Sequence, residues 1–303
     1  MMDITDRRFR YFMRLINPHV RLYTEMIVCH AIVRGDRQKL LKFDASEHPV
    51  TLQLGGSDVP LMAEAAKIGE DFGYDAIDVN CGCPSDRVGS GNFGACLMRQ
   101  PELVAEVVAA IVRAVKIPVS VKCRIGITGE ESQEKLFAFA EGIFAAGATL
   151  LTVHARTATL EGLSPKENRT IPPLRYDWAF AIKKRFPGHT IEINGGIKTR
   201  AEVTAHLEKV DRVMLGRLAH EDPWFFSESP SASLAERLAI MERMAEYAAL
   251  HEAADITAAR FFNNMLNIFH ALPGAKALRR FLSEDGRAMS PEAAVSKILA
   301  MHF

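Results

Sequence analysis

The sequence lacks the features that mark membrane, secreted or strongly charged proteins. It has no uninterrupted apolar run of about eighteen residues, the length needed for a transmembrane helix. Its first residues are polar and charged, unlike the apolar core of a secretory signal. Lysine plus arginine and aspartate plus glutamate each number 37, so the whole-chain charge gives no argument for a nucleic-acid or membrane surface. We therefore expect a cytoplasmic protein without a membrane partner.

Cysteine is scarce, and its spacing does not suit a metal site. The chain has five cysteines, at positions 29, 81, 83, 96 and 123. An odd number without a secretion signal is typical of reduced thiols. Cys81 and Cys83 are separated by one residue, whereas zinc sites usually space paired cysteines by two to four, and no second His or Cys pair completes a set. We expect no metal.

What the sequence does contain is a regular alternation of apolar runs and amphipathic stretches. The predicted strands are residues 20–28, 50–55, 74–80, 119–125, 149–155, 190–194 and 212–216. Amphipathic stretches such as 59–72, 101–115 and 131–146 lie between them. This pattern is typical of a parallel sheet covered by crossover helices, and so many units favour a barrel.

A TIM (β/α)8 barrel needs eight strands, and the sequence supplies seven. The missing strand is expected to be the first, because the chain opens in a helix. Phe9, Phe12, Met13 and Ile16 recur at helical spacing there, with Asp3 or Thr5 as the predicted cap. A barrel without one strand would expose two unpaired edges. We therefore expect that strand upstream of Met1 or supplied in another way.

The last part of the chain is predicted to be all helical. After Pro223, one predicted helical face comprises Leu234, Leu238, Met241 and Ala245. A second comprises Phe261, Met265, Ile268 and Phe269. We interpret residues 1–223 as a barrel domain and 224–303 as a helical domain.

Polar residues collect at the ends of the predicted strands, where barrels of this type carry their active sites. They are Gln53, Asn80, Lys122, Arg124, His154, Arg156 and Asn194. Taken singly, Lys122 could form an ion pair across the barrel interior and His154 could be structural. Several such residues from different strands favour a site.

Two glycine motifs follow the last predicted strands. Asn194-Gly195-Gly196 and Gly216-Arg217 stand where phosphate-binding barrels hold their anion. Glycine lets backbone N–H groups approach phosphate oxygens, and Arg217 supplies positive charge. The alternative is that these glycines only form tight turns.

The stretch 80–96 is rich in glycine and cysteine and follows a strand directly. Its residues 89–94 match G-x-G-x-x-G, but intervening residues separate them from the strand, so we reject a dinucleotide-binding motif. A thiol such as Cys83 can donate a proton, or act as a nucleophile if a base or cation activates it. From the residues alone, both roles remain open.

Together these motifs resemble the tRNA-dihydrouridine synthase family over nearly the full length of the chain. The matching stretches are LYTEM (22–26), AIVRGD (31–36), HPVTLQLGGSD (48–58), NCGCPS (80–85), VKCRIG (121–126), VHAR (153–156), LSPKENR (163–169), IPPL (171–174), INGGI (193–197) and VMLGR (213–217). The SPKENR and IPPL stretches are most similar to the bacterial A subfamily, which acts on uridines 20 and 20a of the D-loop.

The resemblance implies an FMN-containing TIM barrel with a C-terminal helical domain, reducing uridine in tRNA with NADPH. Contacts with the flavin ring and ribityl chain are implied for Gln53, Lys122 and His154. The implied phosphate-end contacts are Asn194, Gly195, Gly196, Gly216 and Arg217. Met1 matches the end of the family's Ala-Pro-Met strand, whose backbone helps to seat the flavin; the Ala and Pro are absent here.

The resemblance also implies a mechanism and an RNA surface. Hydride is expected to add at uracil C6, and Cys83, which matches the family's general acid, to protonate C5. The residues matching tRNA contacts are Asn80, Lys166, Arg169, Lys276 and Arg279. We expect a monomer.

Three other functions remain open. One is an FMN-dependent oxidoreductase of a free pyrimidine, which would not explain the helical domain. Another is a phosphate-binding barrel without redox activity. The last is a truncated tRNA-binding protein without activity.

Overall fold

The computed structural model describes residues 1–85, 93–229 and 233–301. The chain divides into two compact units. The first comprises Met1–Met2, Arg21–Phe43 and His48–Gly216, and the second comprises Asp3–Val20, Asp44–Glu47 and Arg217–Phe303. The division into a catalytic domain 1–223 and a tRNA-binding domain 224–303 stays a prediction. The two compact units do not show which residues bind a cofactor or RNA.

The first unit is built on seven parallel strands, each paired with its neighbour in chain order. They are β1 (Leu22–Val28), β2 (Val50–Gly55), β3 (Ala76–Cys81), β4 (Val119–Arg124), β5 (Leu150–His154), β6 (Thr190–Asn194) and β7 (Arg212–Met214). Every predicted strand is present, and β3 and β5 are buried along their whole length. Burial on both faces is what a parallel sheet beneath crossover helices requires.

Helices connect the strands of this unit. They are α2 (Cys29–Arg34), α3 (Arg37–Leu41), α4 (Val59–Asp71), α5 (Pro101–Ala114), α6 (Gln133–Ala145), α7 (Tyr176–Arg185) and α8 (Arg200–Leu207). Side chains cap several of them: Asp58 accepts from the Leu61 N–H, and Thr199 forms a capping box with Glu202. The predicted TIM-type barrel of seven strands, followed by helical residues, is confirmed.

The second unit is helical. Its helices are α1 (Arg7–Ile16), α9 (Arg217–Glu221), α10 (Leu234–His251), α11 (Ala258–Phe261), α12 (Ala275–Ser283) and α13 (Pro291–Leu299). Fully buried aromatic rings, including Phe12, Phe262 and Phe269, form its core. None of the helices in the described ranges is both long and apolar enough to cross a bilayer.

Two local predictions for this unit were wrong, and one was correct in part. The cap of α1 is Asp6, which accepts from the Phe9 N–H, and not Asp3 or Thr5. On the predicted face of α10, Met241 and Ala245 are buried, while Leu234 and Leu238 are partly exposed. Residues 261–269 do not form one helix, because bonds from Met265 N–H to Phe262 and from Ile268 N–H to Met265 tighten the chain into successive turns. The four apolar residues predicted there are nevertheless buried.

A buried ion pair fixes the short excursion at residues 44–47. Arg10 Nε donates to Glu47 Oε2 at 2.5 Å, and the two side chains are 6% and 0% exposed. Glu47 also accepts from the Asp44 N–H, and Arg14 donates to the Glu47 carbonyl, each at 2.8 Å. Burial raises the pKa of the Glu47 carboxyl, although Arg10 acts in the opposite direction. Glu47 therefore depends on Arg10 for its charge.

Candidate active site

Strand register gathers the predicted site residues at one edge of the sheet. Asn80 pairs with Lys122, Arg124 with His154, and His154 with Asn194. Gln53, on β2, pairs with Asp78, two residues before Asn80. Because the strands are parallel, their carboxyl ends share this edge, and the predicted cluster of polar strand ends is present.

The backbone around Cys83 is held on several sides. Asn80 Oδ1 accepts from the N–H groups of Gly82 and Cys83, at 3.1 and 3.0 Å. The Cys83 carbonyl accepts from the Ala95 N–H at 2.9 Å, and the thiol lies 3.6 Å from the Ser85 hydroxyl oxygen. Cys83 is partly exposed, so an accessible residue with a thiol is attached to a backbone that is held in place. The G-x-G-x-x-G match at 89–94 lies partly outside the described residues.

The neighbouring thiols have a different environment. Cys81 and Cys123 are register partners and are fully buried. Burial raises the pKa of Cys123 to about 12 and that of Cys81 well above its ordinary value. Both therefore stay protonated and unreactive near neutral pH. Of the cysteines on β3 and directly after it, only Cys83 is accessible.

Arg124, the last residue of β4, ties three loop segments together. Its Nε donates to the Gly82 carbonyl at 3.1 Å, while Nη1 donates to the carbonyls of Thr157 and Asn168 at 3.0 and 2.8 Å. The side chain is 2% exposed. Burial lowers its pKa to about 10. At neutral pH the guanidinium is still charged.

The loop that carries Lys166 and Arg169 is organised around a buried amide. Asn168 is 0% exposed; its Nδ2 donates to the carbonyls of Thr159 and Leu163, and its Oδ1 accepts from the Thr159 N–H. Lys166 and Arg169 themselves are exposed. The buried Asn168 therefore fixes the backbone from which two cations project.

A chain of side-chain hydrogen bonds lies beneath the Cys83 loop. Asn80 Nδ2 donates to Gln53 Oε1, and Gln53 Nε2 donates to Asp78 Oδ2, each at 2.8 Å. Ser120 Oγ donates to the other Asp78 oxygen at 2.7 Å. Asp78 is completely buried, and burial raises its pKa.

Lys122 places a positively charged side chain near the buried carboxylates Asp78 and Glu192. Burial lowers the pKa of its ammonium, and the nearby Asp78 and Glu192 carboxylates act in the opposite direction. The backbone of Lys122 is paired within the sheet, but its ammonium forms no hydrogen bond or ion pair with any residue in the described ranges. Its N–H groups can therefore serve a bound molecule. Lys122 is partly exposed as a residue, and its positive charge suits a ligand edge that carries negative charge.

His154 and the two glycines after β6 are closely packed. A Cβ at Gly195 would lie 2.5 Å from His154 Cδ2, and one at Gly196 would lie 2.6 Å from Leu174 Cδ1. Both glycines have positive φ, +113° and +74°. Only glycine fits both the space and the backbone conformation here.

The same glycines present donors at the strand ends. The N–H groups of Gly195, Gly196 and Gly216 form no hydrogen bond to any residue in the described ranges. Asn194 Nδ2 donates to the Met214 carbonyl at 2.8 Å, which links the ends of β6 and β7. Such a set of backbone donors fits a phosphate group. These residues, with Lys122, could hold a phosphate-bearing cofactor.

Met1 and Arg217, two of the predicted cofactor contacts, belong to different units of the chain. Met1 belongs to the first, where its sulfur would lie 3.6 Å from a Cβ at Gly216. Arg217 is the first residue of α9 and belongs to the second.

The second unit carries the remaining predicted cations on α12. Lys276 is exposed, and Arg279 Nη1 donates to Asn267 Oδ1 at 3.4 Å. The adjacent Arg280 is occupied by an ion pair with Glu284 at 2.7 Å. Among the described residues, no group of three or more His, Cys, Asp or Glu side chains is placed to hold a metal ion.

Comparison with known proteins gives matches over almost the whole chain. A family model described as "Dihydrouridine synthase (Dus)" matches residues 1–301. The tRNA-dihydrouridine(20/20a) synthase of Synechocystis sp. is 50% identical over 311 residues, which cover 100% of this chain and 93% of that protein. The enzyme of the same name from Xanthomonas campestris pv. campestris is 46% identical over 288 residues, 94% of this chain and 86% of its own. That of Pseudomonas syringae pv. tomato is 46% identical over 291 residues, 94% and 87% of the two chains.

Proposed function

The chain belongs to the dihydrouridine synthase family, and we propose that it reduces uridine to 5,6-dihydrouridine at positions 20 and 20a of the tRNA D-loop. Members of this family are flavin-dependent oxidoreductases that act on tRNA. The observation that carries the proposal is the identity of 43–50% with relatives named tRNA-dihydrouridine(20/20a) synthase, over at least 94% of this chain. We expect the reaction to take place in the cytoplasm, with the protein acting as a monomer.

The cofactor is FMN, and NADPH is its reductant. Gln53, Lys122 and His154 would hold its ring and ribityl portion; the Lys122 ammonium, which has no partner among the described residues, supports this assignment. The phosphate end is held by Met1, Asn194, Gly195, Gly196, Gly216 and Arg217. Support comes from the glycine N–H groups, which have no acceptor among the described residues.

The chemistry follows from the conjugation of the uracil C5=C6 bond with a carbonyl. Bound FMN, once reduced by NADPH, would supply the hydride that C6 requires. Cys83 donates its thiol proton to C5, which completes the reduction, and solvent then restores the proton of the thiol. The accessible thiol and its fixed backbone support this role. Lys122 contributes positive charge beside the flavin.

The RNA is held by its backbone while the target base is extruded from its stack. Lys166, Arg169, Lys276 and Arg279 contact the tRNA, and Asn80 lies near the target base. Exposure of Lys166, Arg169 and Lys276 supports phosphate contacts, which do not require a net positive chain. In this proposal residues 1–223 carry the catalysis and 224–303 bind tRNA.

The test starts from the purified protein. We expect a flavin absorption spectrum and release of FMN on denaturation. With NADPH and tRNA from a strain lacking its own synthase, dihydrouridine should appear at positions 20 and 20a. A flavin-loaded protein that leaves tRNA unmodified but reduces a free pyrimidine would contradict the proposal. So would a protein that binds tRNA but holds no flavin.

A further inference from the structure

Three polar side chains, two of them buried and one partly exposed, connect the floor of the site to the Cys83 backbone. They are Asp78, Gln53 and Asn80, on the neighbouring strands β2 and β3. We propose that Asp78 is a positioning residue, which acts through Gln53 and Asn80 to fix the backbone N–H groups of Gly82 and Cys83. The inference rests on the proposed function only in taking Cys83 as the proton donor.

The direction of each hydrogen bond is determined from both ends. At the loop end, the N–H groups of Gly82 and Cys83 can only donate, so Asn80 must present its oxygen to them. Its nitrogen then faces Gln53, which must present its own oxygen. The nitrogen of Gln53 is left facing position 78, so that position must supply an acceptor.

Asp78 satisfies this requirement and is held in place itself. One of its oxygens accepts from Gln53, and the other accepts from Ser120 at 2.7 Å. Asp78 is 0% exposed, so the Gln53 N–H bond that reaches it points into the protein interior. A buried donor without an acceptor is costly, which makes the orientation of the two amides depend on Asp78.

This arrangement has a consequence for Asn80. Its oxygen and one of its N–H bonds are used within the protein, by the Cys83 loop and by Gln53. Replacing Asn80 should therefore misplace the proton donor, as well as remove a group near the substrate base. The hydrogen bonds that run from Asp78 through Gln53 to Asn80, which we call the relay, therefore couple the position of Cys83 to the orientation of the Gln53 amide.

Reversing the relay tests this directly. In Asn80→Asp, the new carboxylate still accepts from Gly82 and Cys83 but cannot donate to Gln53. Gln53 must then turn its amide, which brings its oxygen against the Asp78 carboxylate. Adding Asp78→Asn removes this conflict, because Asn at 78 donates to Gln53 and Gln53 donates to Asp at 80. The double variant keeps the charge of the wild type, with every relay bond satisfied in the opposite direction.

Two measurements compare the wild type with the two single variants and the double variant. The first is the single-turnover rate of uridine reduction by pre-reduced enzyme at saturating tRNA. We expect Asn80→Asp to slow it by roughly ten- to a hundredfold, the cost of one unsatisfied buried group. Asp78→Asn alone should have a small effect, because its oxygen still accepts from Gln53. The double variant should recover most of the loss.

The second measurement is the thermal unfolding midpoint of the same proteins, which does not depend on the thiol. Adding Asp78→Asn should lower the midpoint of the wild type or leave it unchanged, yet raise that of Asn80→Asp. Glu192→Gln is the matched control: it removes another buried carboxylate, which accepts from Thr152 at 2.8 Å and lies outside the relay. Glu192→Gln lowers the negative charge near Asp78 but makes no bond to Gln53, so in the Asn80→Asp background it should restore less of either property than Asp78→Asn does.

The outcomes separate the relay from the proposed activity. If the double variant is no better than Asn80→Asp in rate and midpoint, or if Glu192→Gln rescues equally well, the relay is wrong. If the wild type forms no dihydrouridine while the midpoints follow the expected pattern, the relay stands and the proposed function fails.

Discussion

Arg124 Nε donates a hydrogen bond to the carbonyl oxygen of Gly82, 3.1 Å away, one residue before the proposed proton donor. The same guanidinium holds the carbonyl of Asn168, in the loop that projects Lys166 and Arg169. The catalytic loop and the loop proposed to contact RNA therefore share one buried support.

Arg124→Lys should impair catalysis while leaving the flavin bound. A lysine keeps the charge, but its compact ammonium cannot reproduce the fork that reaches three carbonyls. We expect the reduction rate to fall by roughly ten- to a hundredfold, because at least one buried carbonyl loses its partner. Flavin absorbance of the purified variant and single-turnover reduction of tRNA would measure the two effects.

The matched control for this variant is Arg99→Lys. Arg99 is also an arginine with several hydrogen bonds, but it pairs with the exposed Glu130. It should change neither rate nor flavin content. Equal effects of the two substitutions would show that Arg124 has no special supporting role.

Cys83→Ala should keep FMN and lose dihydrouridine formation. The substitution removes the proton source at C5 and leaves the backbone bonds to Asn80 and Ala95 in place. Flavin spectra and dihydrouridine mapping would measure this. Cys96→Ala is the control, since that thiol is also partly exposed but donates to the Phe93 carbonyl at 3.1 Å. Wild-type turnover by Cys83→Ala would remove the assignment.

The fold was largely predictable from sequence, because buried parallel strands appear as continuous apolar runs. The strands from 50 to 55 and from 190 to 194 were predicted with their observed ends, and the others differ by two residues or fewer at each end. The helical residues 261–269 were harder. Their apolar spacing predicted burial correctly, but spacing does not reveal where a chain tightens into successive turns.

The candidate site was predicted as a set of positions and not as a network. Polar strand ends identified Gln53, Asn80 and Lys122, since parallel strands carry them to one edge. Asp78 lies two residues before Asn80 on β3, so the two side chains are on the same face of the strand. Asp78 could therefore have been inferred to face the interior. The carbonyl partners of Arg124 could not, because they depend on how distant loops fold back. The same holds for Asn168, whose partners are mostly backbone atoms of its own loop.

Gly195→Ala should displace His154 and weaken flavin binding. The added Cβ would lie 2.5 and 2.8 Å from two atoms of the imidazole, at a φ of +113°. We expect a lower FMN content and a lower unfolding midpoint. Gly162→Ala imposes comparable backbone strain, with φ +80° and no atom within 4 Å of its Cβ. It should lower the midpoint without loss of FMN; equal flavin loss in both variants would contradict a specific role of the His154 contact.

Lys166→Ala with Arg169→Ala should weaken tRNA binding in a salt-dependent way. Loss of two phosphate contacts should reduce the slope of log affinity against log salt by about 1.4 to 1.8. Lys184→Ala with Arg185→Ala removes the same charge from exposed residues at the other end of the strands, just before β6. Binding titrations at several salt concentrations would compare the pairs. Equal slopes would show that the effect is one of net charge alone.

Arg10→Met should destabilise the protein by about 3–5 kcal/mol at neutral pH, because it leaves the Glu47 carboxylate buried without its partner. Adding Glu47→Gln should recover much of this loss, since the amide still accepts from the Asp44 N–H. Urea unfolding would measure both. Lys67→Met, which breaks an exposed pair with Asp71, is the control and should have no measurable effect.

The dependence on pH distinguishes this explanation from a simple loss of packing. Burial raises the pKa of Glu47 in the folded protein, so folding favours the protonated carboxyl. Its contribution to stability is full below its unfolded pKa of about 4.3 and is lost as the pH rises through the folded pKa. Removing Arg10 raises that folded pKa further and makes the loss larger. The stability difference between wild type and Arg10→Met should therefore grow between about pH 4 and pH 7. A difference that stays constant over this range would assign the effect to packing.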